Sequence, residues 1–267
     1  MDNSDIFNRL LKITIISLSK ISCLFPRNFS LFIGELFAKL IYNFYRFSSY
    51  KNHISNNIKS TLPISDSGAK KMAKKHIIKF TKNLVDLLRF DTLKEETFDK
   101  IVSIKNSEFF HQAINENKGV ILVSAHYGCW ELIGAAISLK LKNVLNVLVQ
   151  RPSQPVFDEL FVQFRQKVKV RTHYNNSGVL SLRPLFRALE NHECLGFLVD
   201  QHGESEDTFG EFFGNIVSIP SGPALFAYKT GAPIVPVFIR RTKDDRHEIL
   251  FHPVIHIDSN GDKEVEV

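Results

Sequence analysis

Two side chains of the segment SAHYGCWELIG, His126 and Glu131, have the right types for general acid–base chemistry. An imidazole accepts a proton near neutral pH, and a carboxylate on its second nitrogen fixes the tautomer and stabilises the imidazolium. On a continuous α-helix their spacing places them about 140° apart, so they cannot easily meet. They can meet if His126 lies in a strand-to-helix turn and Glu131 in the first helical turn, with Gly128 supplying backbone freedom. We therefore predict His126 as a base and Glu131 as its partner.

The spacing alone is weak evidence, because it occurs twice more, at His111/Glu116 and at His202/Asp207. With ten His in the chain, about one such pair is expected by chance. The segment around His111 is typical of a surface helix, and His202 lies in a Gly- and acid-rich loop that could be near the site. Only His126 has a strand before it and a helix after it.

The elements that position His126 alternate between strands and helices from about residue 117. Predicted strands are GVILVSA (119–125), NVLNVLV (143–149), ECLGFLVD (193–200), APIVPVFI and HEILFHPVIHI. Predicted helices are ELIGAAISLKL, VFDELFVQFRQKV (156–168), SLRPLFRALEN and SGPALFAYKTG. This alternation predicts an α/β fold, with a mostly parallel sheet covered by helices on both faces. His126 then follows a strand, where open α/β sheets place their ligand sites.

The N-terminal region is apolar and helical in pattern. Three basic residues interrupt residues 7–26, and the apolar runs between them are too short to predict a membrane-spanning helix. In the next stretch Glu35, Lys39 and Asn43 make one polar stripe on an apolar helix, which is typical of a helix in the membrane interface. We expect residues 1–48 to form an apolar helical membrane anchor, spanning or lying flat. Two core helices of a soluble protein are the alternative.

A polar, basic stretch, residues 49–65, follows the anchor, and its Pro63 breaks any continuing helix. Asp66 or Ser67 is then expected to cap a helix whose Lys-rich face is either solvated or a docking face for an acidic partner. The predicted parts are residues 1–48 (membrane-associated helices), 49–100 (helical linker or cap) and 101–267 (α/β domain).

Composition excludes several other classes of protein. The net charge of +6 comes from scattered Lys and Arg, without a zinc-finger, RNP or helix-turn-helix signature, so no nucleic-acid partner is expected. Cys23, Cys129 and Cys194 have no disulfide or zinc spacing, and Cys129 is interpreted as a small buried residue. Of the C-terminal His residues, only His252 and His256 would share a strand face, and two ligands are too few for a metal.

The segment VILVSAHYGCWELIG resembles the first motif of the bacterial lipid A biosynthesis acyltransferases, the lauroyl/myristoyl late acyltransferases. That family lies within the glycerolipid acyltransferase group with its His-x4-acid signature. Further similar segments follow in the family's order: VQRPSQP (149–155), FRQK (164–167), FLVDQHGESEDTFGEFFG and IPSGPALFAYKTGAPIVPVFI. The resemblance covers roughly residues 30–260, and several ordered motifs make it far more specific than the His-x4-acid pair.

The resemblance implies acyl-acyl carrier protein as donor and a hydroxyl of a lipid A precursor as acceptor. His126 would be the base and Glu131 its partner. Arg165, with Arg151 as second candidate, would stabilise the developing oxyanion or the acceptor's phosphate. A surface or salt-bridged Arg is the alternative for both. No cofactor is implied, because a thioester is already activated.

Further positions are predicted from the same resemblance. Asp200 and Gln201, at the end of the third strand, would shape the site, with loop capping as the alternative. Phe213 and Gly214 of the FFG segment would line the acyl channel, although an aromatic core is nearly as good an interpretation. Gly222 would contribute to the substrate-binding turn.

The resemblance also suggests a location, the cytoplasmic face of the inner membrane. Two other functions stay open: a related acyltransferase acting on another glycolipid or a lysophospholipid, and a non-catalytic lipid-binding membrane protein. Family members continue with a helix and a Trp/Arg-rich tail where this chain ends in DKEVEV, so we expect a shortened or truncated C-terminus.

Overall fold

The computed structural model of the chain describes residues 3–44, 49–152, 154–175, 182–201 and 208–257. Its helices are α1 (Asn3–Leu24), α2 (Arg27–Phe44), α3 (Ser49–Thr61), α4 (Asp66–Leu88), α5 (Glu95–Phe98), α6 (Ser107–Ile114), α7 (Glu131–Leu139), α8 (Pro155–Lys167), α9 (Arg183–Glu190) and α10 (Gly222–Thr230). Its strands are β1 (Val102–Lys105), β2 (Val120–Ser124), β3 (Leu145–Val149), β4 (Arg171–Tyr174), β5 (Cys194–Leu198), β6 (Phe209–Phe212), β7 (Asn215–Ser218), β8 (Ile234–Arg241) and β9 (His247–Phe251).

Seven strands form one sheet in the order β1-β9-β8-β2-β5-β3-β4, and β6 and β7 form a separate hairpin. Every neighbouring pair in the large sheet is parallel except β8–β9. The exception has a simple cause, since only a five-residue turn joins β8 to β9 and parallel strands need a long crossover. The predicted α/β fold with a mostly parallel sheet is confirmed.

The last predicted strand, HEILFHPVIHI, is too long. β9 ends at Phe251, and Pro253 cannot donate to a ladder, so the chain leaves regular pairing there. A single bridge between Ile234 and Ile255 remains beyond it. His252 and His256 therefore do not share the face of one strand as predicted.

The two faces of the sheet carry different layers. Ile121 and Leu195 pack with α9 and α10 in a buried apolar cluster that includes Leu185 and Phe226. Leu122, which is paired with Gly196 in register, faces the opposite side. This division places the α9–α10 layer behind one face of the sheet and leaves the other face to the helices that follow β2 and β3.

The chain packs as two compact units. The first contains residues up to 12, 93–210 and 218 onward, and so includes the large sheet. The second contains residues 13–92 and 211–217, and so includes α2, α3 and α4. The division at residues 48 and 100 stays a prediction.

In the second unit α2 packs against α4 and α3 against α4. Small residues make the α2–α4 approach possible: a Cβ on Gly34 would lie 2.7 Å from a methyl group of Val85. Residues 49–65 contain helix α3 (Ser49–Thr61), which ends before Pro63, as the helix-breaking role of that proline predicts. Ile54 and Ile58, one turn apart and half-buried, supply the helix with an inward face.

The cap of α4 is Ser65 rather than Asp66 or Ser67. Its hydroxyl accepts a hydrogen bond from the Gly68 N–H at 3.2 Å, which satisfies one of the free amides at the helix start.

The buried charged groups Asp86 and Arg89 of the second unit have hydrogen-bond partners. The Arg27 guanidinium donates two hydrogen bonds, of 2.7 and 2.9 Å, to the Asp86 carboxylate, which is 5% exposed. Arg89 donates to the Phe25 carbonyl at 3.0 Å and to the Ser30 hydroxyl at 3.1 Å. These bonds join the corner between α1 and α2 to the end of α4.

Across the described ranges, no helix is both long enough and apolar enough to cross a membrane. Many large apolar side chains of α2 are nevertheless exposed: Phe29, Phe32, Ile33, Leu36, Phe37, Leu40 and Phe44.

Candidate active site

His126 lies in the turn between β2 and α7, as predicted, and Glu131 is the first residue of α7. Gly128 in this turn has a φ of 67°, in the left-handed region that favours glycine. A Cβ there would lie 2.2 Å from the carbonyl oxygen of Ile239, so the turn passes too close to β8 for any side chain. The turn therefore lies directly against the backbone of β8.

The carboxylate that contacts the His126 ring belongs to Asp200. Nδ1 of His126 lies 2.9 Å from one oxygen of Asp200, and the backbone N–H of His126 donates to the other oxygen at 2.9 Å. A carboxylate can only accept, so Nδ1 carries the proton and Nε2 of the neutral ring is an acceptor. Asp200 reaches the ring because it follows β5, the parallel neighbour of β2.

Glu131 contacts Arg165 instead. The Arg165 Nε donates to one carboxylate oxygen at 3.0 Å and Nη2 donates to the other at 2.6 Å. The Glu131 side chain is 10% exposed and that of Arg165 is 14% exposed. The expected hydrogen bond between Glu131 and His126 is therefore absent from this arrangement, because both Glu131 oxygens face α8 while Asp200 occupies Nδ1.

Arg151 is held in a different way. Its guanidinium carbon lies 4.4 Å from the centre of the Tyr174 ring, a cation–π contact. The Tyr174 hydroxyl donates to the Asp158 carboxylate at 2.9 Å. Burial, with help from Asp158, raises the pKa of Tyr174, so the phenol remains a donor at neutral pH. Arg151 itself has no carboxylate partner within the part of the chain that the structure describes.

These groups surround a cleft of about 740 Å³, formed by the first unit. Its polar lining includes His126, Glu131, Arg151, Asp158, Arg165, Gln201 and Ser221, with Gly222 at the start of α10. Its apolar lining comes from the sheet, from α7 and α8, and from the segment between α8 and β4: Leu122, Ile133, Leu145, Val147, Val149, Phe161, Val170 and Val237. Gly134 and Gly196 also line the cleft. The structure thus brings together most of the predicted residues in one cleft that has both a polar and an apolar lining.

Phe213 and Gly214 do not line this cleft. They form the turn of the β6–β7 hairpin, with φ values of 51° and 74°, and Phe213 is 57% exposed. Their assignment to an acyl channel stays a prediction. His202 and Asp207 lie outside the described residues.

A family model for bacterial lipid A biosynthesis acyltransferases matches residues 5–265. The chain belongs to this family. It is therefore an acyltransferase of lipid A biosynthesis, and its resemblance in sequence extends over both units. No curated protein matches the chain in a sequence search.

Two of the three cysteines are buried. Cys129 is 4% exposed, which confirms the interpretation of a small buried residue. Burial raises the pKa of the Cys194 thiol far above its ordinary value, so a thiolate there is disfavoured. Across the described residues, no three His, Cys, Asp or Glu side chains are grouped to hold a metal ion.

Sequence reasoning missed Trp130 and Asp158, which line the acyltransferase cleft, and Tyr174, which contacts Arg151. Trp130 packs edge-on against His126 with ring centres 5.0 Å apart. Tyr174 contacts Arg151 through its ring and donates its hydroxyl hydrogen bond to Asp158. Trp130 lies within the motif SAHYGCWELIG and is the only Trp in the sequence, so the sequence alone could have indicated it. Tyr174 ends a short polar strand that no apolar periodicity marks.

Proposed function

We propose that this acyltransferase moves a fatty acyl chain from acyl-acyl carrier protein to a hydroxyl group of a lipid A precursor. The observation that carries the proposal is the position of His126. Its Nδ1 proton is held by Asp200, its Nε2 is left as an acceptor, and His126 lines a cleft with a large apolar wall. That arrangement suits deprotonation of a hydroxyl beside a bound acyl group.

In this mechanism Nε2 of His126 takes the proton of the acceptor hydroxyl as its oxygen attacks the thioester carbonyl. The Asp200 carboxylate stabilises the imidazolium that forms. Collapse of the tetrahedral intermediate breaks the carbon–sulfur bond, and the imidazolium returns its proton to the departing thiolate. The ester product and the free carrier thiol then leave, and His126 is neutral again.

Arg165 and Arg151 have different roles in the proposal. Arg165 is neutralised by Glu131, which fixes the guanidinium beside the cleft, so its remaining N–H groups can donate to the oxyanion. In this assignment Glu131 acts on Arg165 rather than on the base. Arg151 keeps its full charge at the mouth of the cleft and is assigned to a phosphate of the acceptor.

The apolar part of the cleft is assigned to the acyl chain. Its volume lies in the range of small-molecule sites, and its wall of Leu, Val, Ile and Phe excludes water from a hydrocarbon. Gly134 and Gly196 have no side chains to fill the cleft, so they leave room for the acyl chain. A side chain at Gly196 would meet Leu145 and Val147 at 3.2 and 3.3 Å, so enlarging it narrows the slot.

We also propose that the protein acts on the cytoplasmic face of the inner membrane, with α2 lying in the lipid interface. The support is the row of exposed large apolar side chains on α2, opposite the face that packs on α4. Replacing Phe32 and Phe37 by Gln should reduce sedimentation with vesicles. Unchanged sedimentation relative to wild type would remove the assignment of α2.

The test of the reaction is acyl transfer by the purified protein from acyl-acyl carrier protein to a lipid A precursor. His126→Ala should abolish transfer, and Asp200→Asn should slow it strongly while the acceptor KM changes little. Lys229→Gln, at an exposed site on α10, is the control. Full activity of a correctly folded His126→Ala variant would refute the base assignment. Transfer from acyl-coenzyme A but not from acyl-acyl carrier protein would refute the proposed donor.

A further inference from the structure

A second pocket lies on the face of the sheet behind the active-site cleft. It has a volume of about 480 Å³ and is lined by Asn146, Arg171, His173, Arg183, Arg187 and Glu193, among others. We call it the arginine pocket. Asn146 is paired in register with Leu195, which belongs to the α9–α10 face, whereas the cleft contains the alternate residue Val147. The two sites are thus on opposite faces of β3.

The floor of the arginine pocket is a fixed polar network. The Arg171 Nη1 donates to both oxygens of Glu193, at 2.8 and 2.9 Å. The Asn146 amide donates to Glu193 at 2.8 Å, and its oxygen lies 2.9 Å from Nε2 of His173. Asn146 is only 2% exposed. Since an amide oxygen only accepts, Nε2 of His173 is the donor and its Nδ1 is free to accept.

The wall of the pocket carries charge that this network does not neutralise. Arg183 and Arg187 are one turn apart on α9, so their Cβ atoms are about 6 Å apart on the same side of the helix. Neither guanidinium has a hydrogen bond or ion pair within the part of the chain that the structure describes. Three arginines therefore line the pocket with one carboxylate, and that carboxylate is already bonded to Arg171.

We propose that the arginine pocket is a second ligand site that binds a phosphate monoester, bridging α9 to the edge strand β4. Two guanidinium groups on one side of a helix offer several N–H donors and two positive charges. A dianionic phosphate matches both charges and has three acceptor oxygens, whereas a carboxylate has one charge and two oxygens. Nδ1 of His173 can accept a hydrogen bond from a hydroxyl group of the same ligand. Burial lowers the pKa of His173, which keeps that nitrogen unprotonated at neutral pH.

The phosphate can come from a soluble ester or from a lipid headgroup, and the experiment separates these sources. Full-length protein is titrated with glycerol 3-phosphate by calorimetry at constant ionic strength. All samples carry Arg151→Gln, so that phosphate binding in the cleft does not contribute. In parallel, the same proteins are sedimented with phosphatidylcholine vesicles that contain or lack phosphatidic acid.

Replacing both Arg183 and Arg187 by Gln should weaken phosphate binding by roughly 100-fold, since each charge-assisted contact contributes about tenfold. The matched control, Lys229→Gln with Lys243→Gln, removes the same charge at exposed positions and should bind as the parent does. Loss of glycerol 3-phosphate binding assigns the site to soluble esters. Loss confined to phosphatidic acid vesicles assigns it to lipid headgroups.

The proposal is overturned if neither ligand binds saturably or if the control variant weakens binding equally. It is also overturned if the arginine variant lowers the Tm of the ligand-free protein without changing phosphate binding, because the arginines would then be structural. The proposal does not depend on acyl transfer, since only binding is measured.

Discussion

Removing one partner of the Glu131–Arg165 pair should destabilise the protein far more than removing both. The side chains are 10% and 14% exposed and share two hydrogen bonds, of 2.6 and 3.0 Å. Arg165→Met leaves a nearly buried carboxylate without its cation, which costs about 3 kcal/mol. Glu131→Leu leaves an unpaired guanidinium at a similar cost. The double variant removes both charges, so its stability should return to within about 1 kcal/mol of wild type.

The assay is a double-mutant cycle from urea unfolding followed by circular dichroism. It should yield a coupling energy of several kcal/mol between Glu131 and Arg165. The control cycle uses Arg240, whose side chain is 66% exposed, and Glu248, and should give a coupling of about 1 kcal/mol or less. Additive losses in the Glu131–Arg165 cycle would contradict the pair as the structure shows it.

Acyl transfer by the same variants separates stability from chemistry. If Arg165 donates to the oxyanion, the double variant should be stable and yet transfer at least 100-fold more slowly than wild type, the typical effect of losing one such donor. Wild-type transfer by the stable double variant would limit the pair to a structural role.

Three further predictions concern other parts of the chain. Gly128→Ala should cost about 1–3 kcal/mol and most of the transfer activity, measured on the same samples, because its Cβ would clash with the Ile239 carbonyl. Two lysine ammonium groups lower the pKa of Glu35 to about 2. The stabilising effect of the ionised carboxylate is therefore complete above about pH 4.5 and is lost as the pH falls towards 2. A plot of Tm against pH should show this loss, and Glu35→Gln should make the plot flatter. Tyr174→Leu should raise the acceptor KM more than Tyr174→Phe, which keeps the ring under Arg151; equal KM values would contradict this.

Much of the fold was readable from apolar periodicity. The central strands β2 and β5 are continuous apolar runs and β3 is apolar apart from Asn146, as expected of strands in the middle of a sheet, and the sequence marks them clearly. The short strands β1 and β4 escaped prediction. β4 reads RTHY, with no apolar run, and is a strand because the edge of β3 offers it a ladder. Such tertiary pairing leaves no local pattern.

The sequence predicted which residues form the site better than it predicted which of them contact each other. The placement of His126 in a turn and Glu131 at a helix start followed from spacing and from Gly128. Which carboxylate reaches the imidazole did not, because Asp200 is 74 residues away and arrives there through the order of β2 and β5 in the sheet. Parallel neighbours are set by topology, and a motif read along the chain favours the acid that is near in sequence.

Asp200 contacts both the ring and the backbone N–H of His126. Because of this double contact, the imidazole can be removed by mutation while Asp200 keeps one of its two hydrogen bonds. In a His126→Ala variant the backbone bond persists, so the carboxylate stays in place beside an empty space of imidazole size. Free imidazole added to such a protein has a partner already oriented to receive its N–H. The inactive enzyme is therefore suited to chemical rescue, in which a diffusible base takes the place of a side chain.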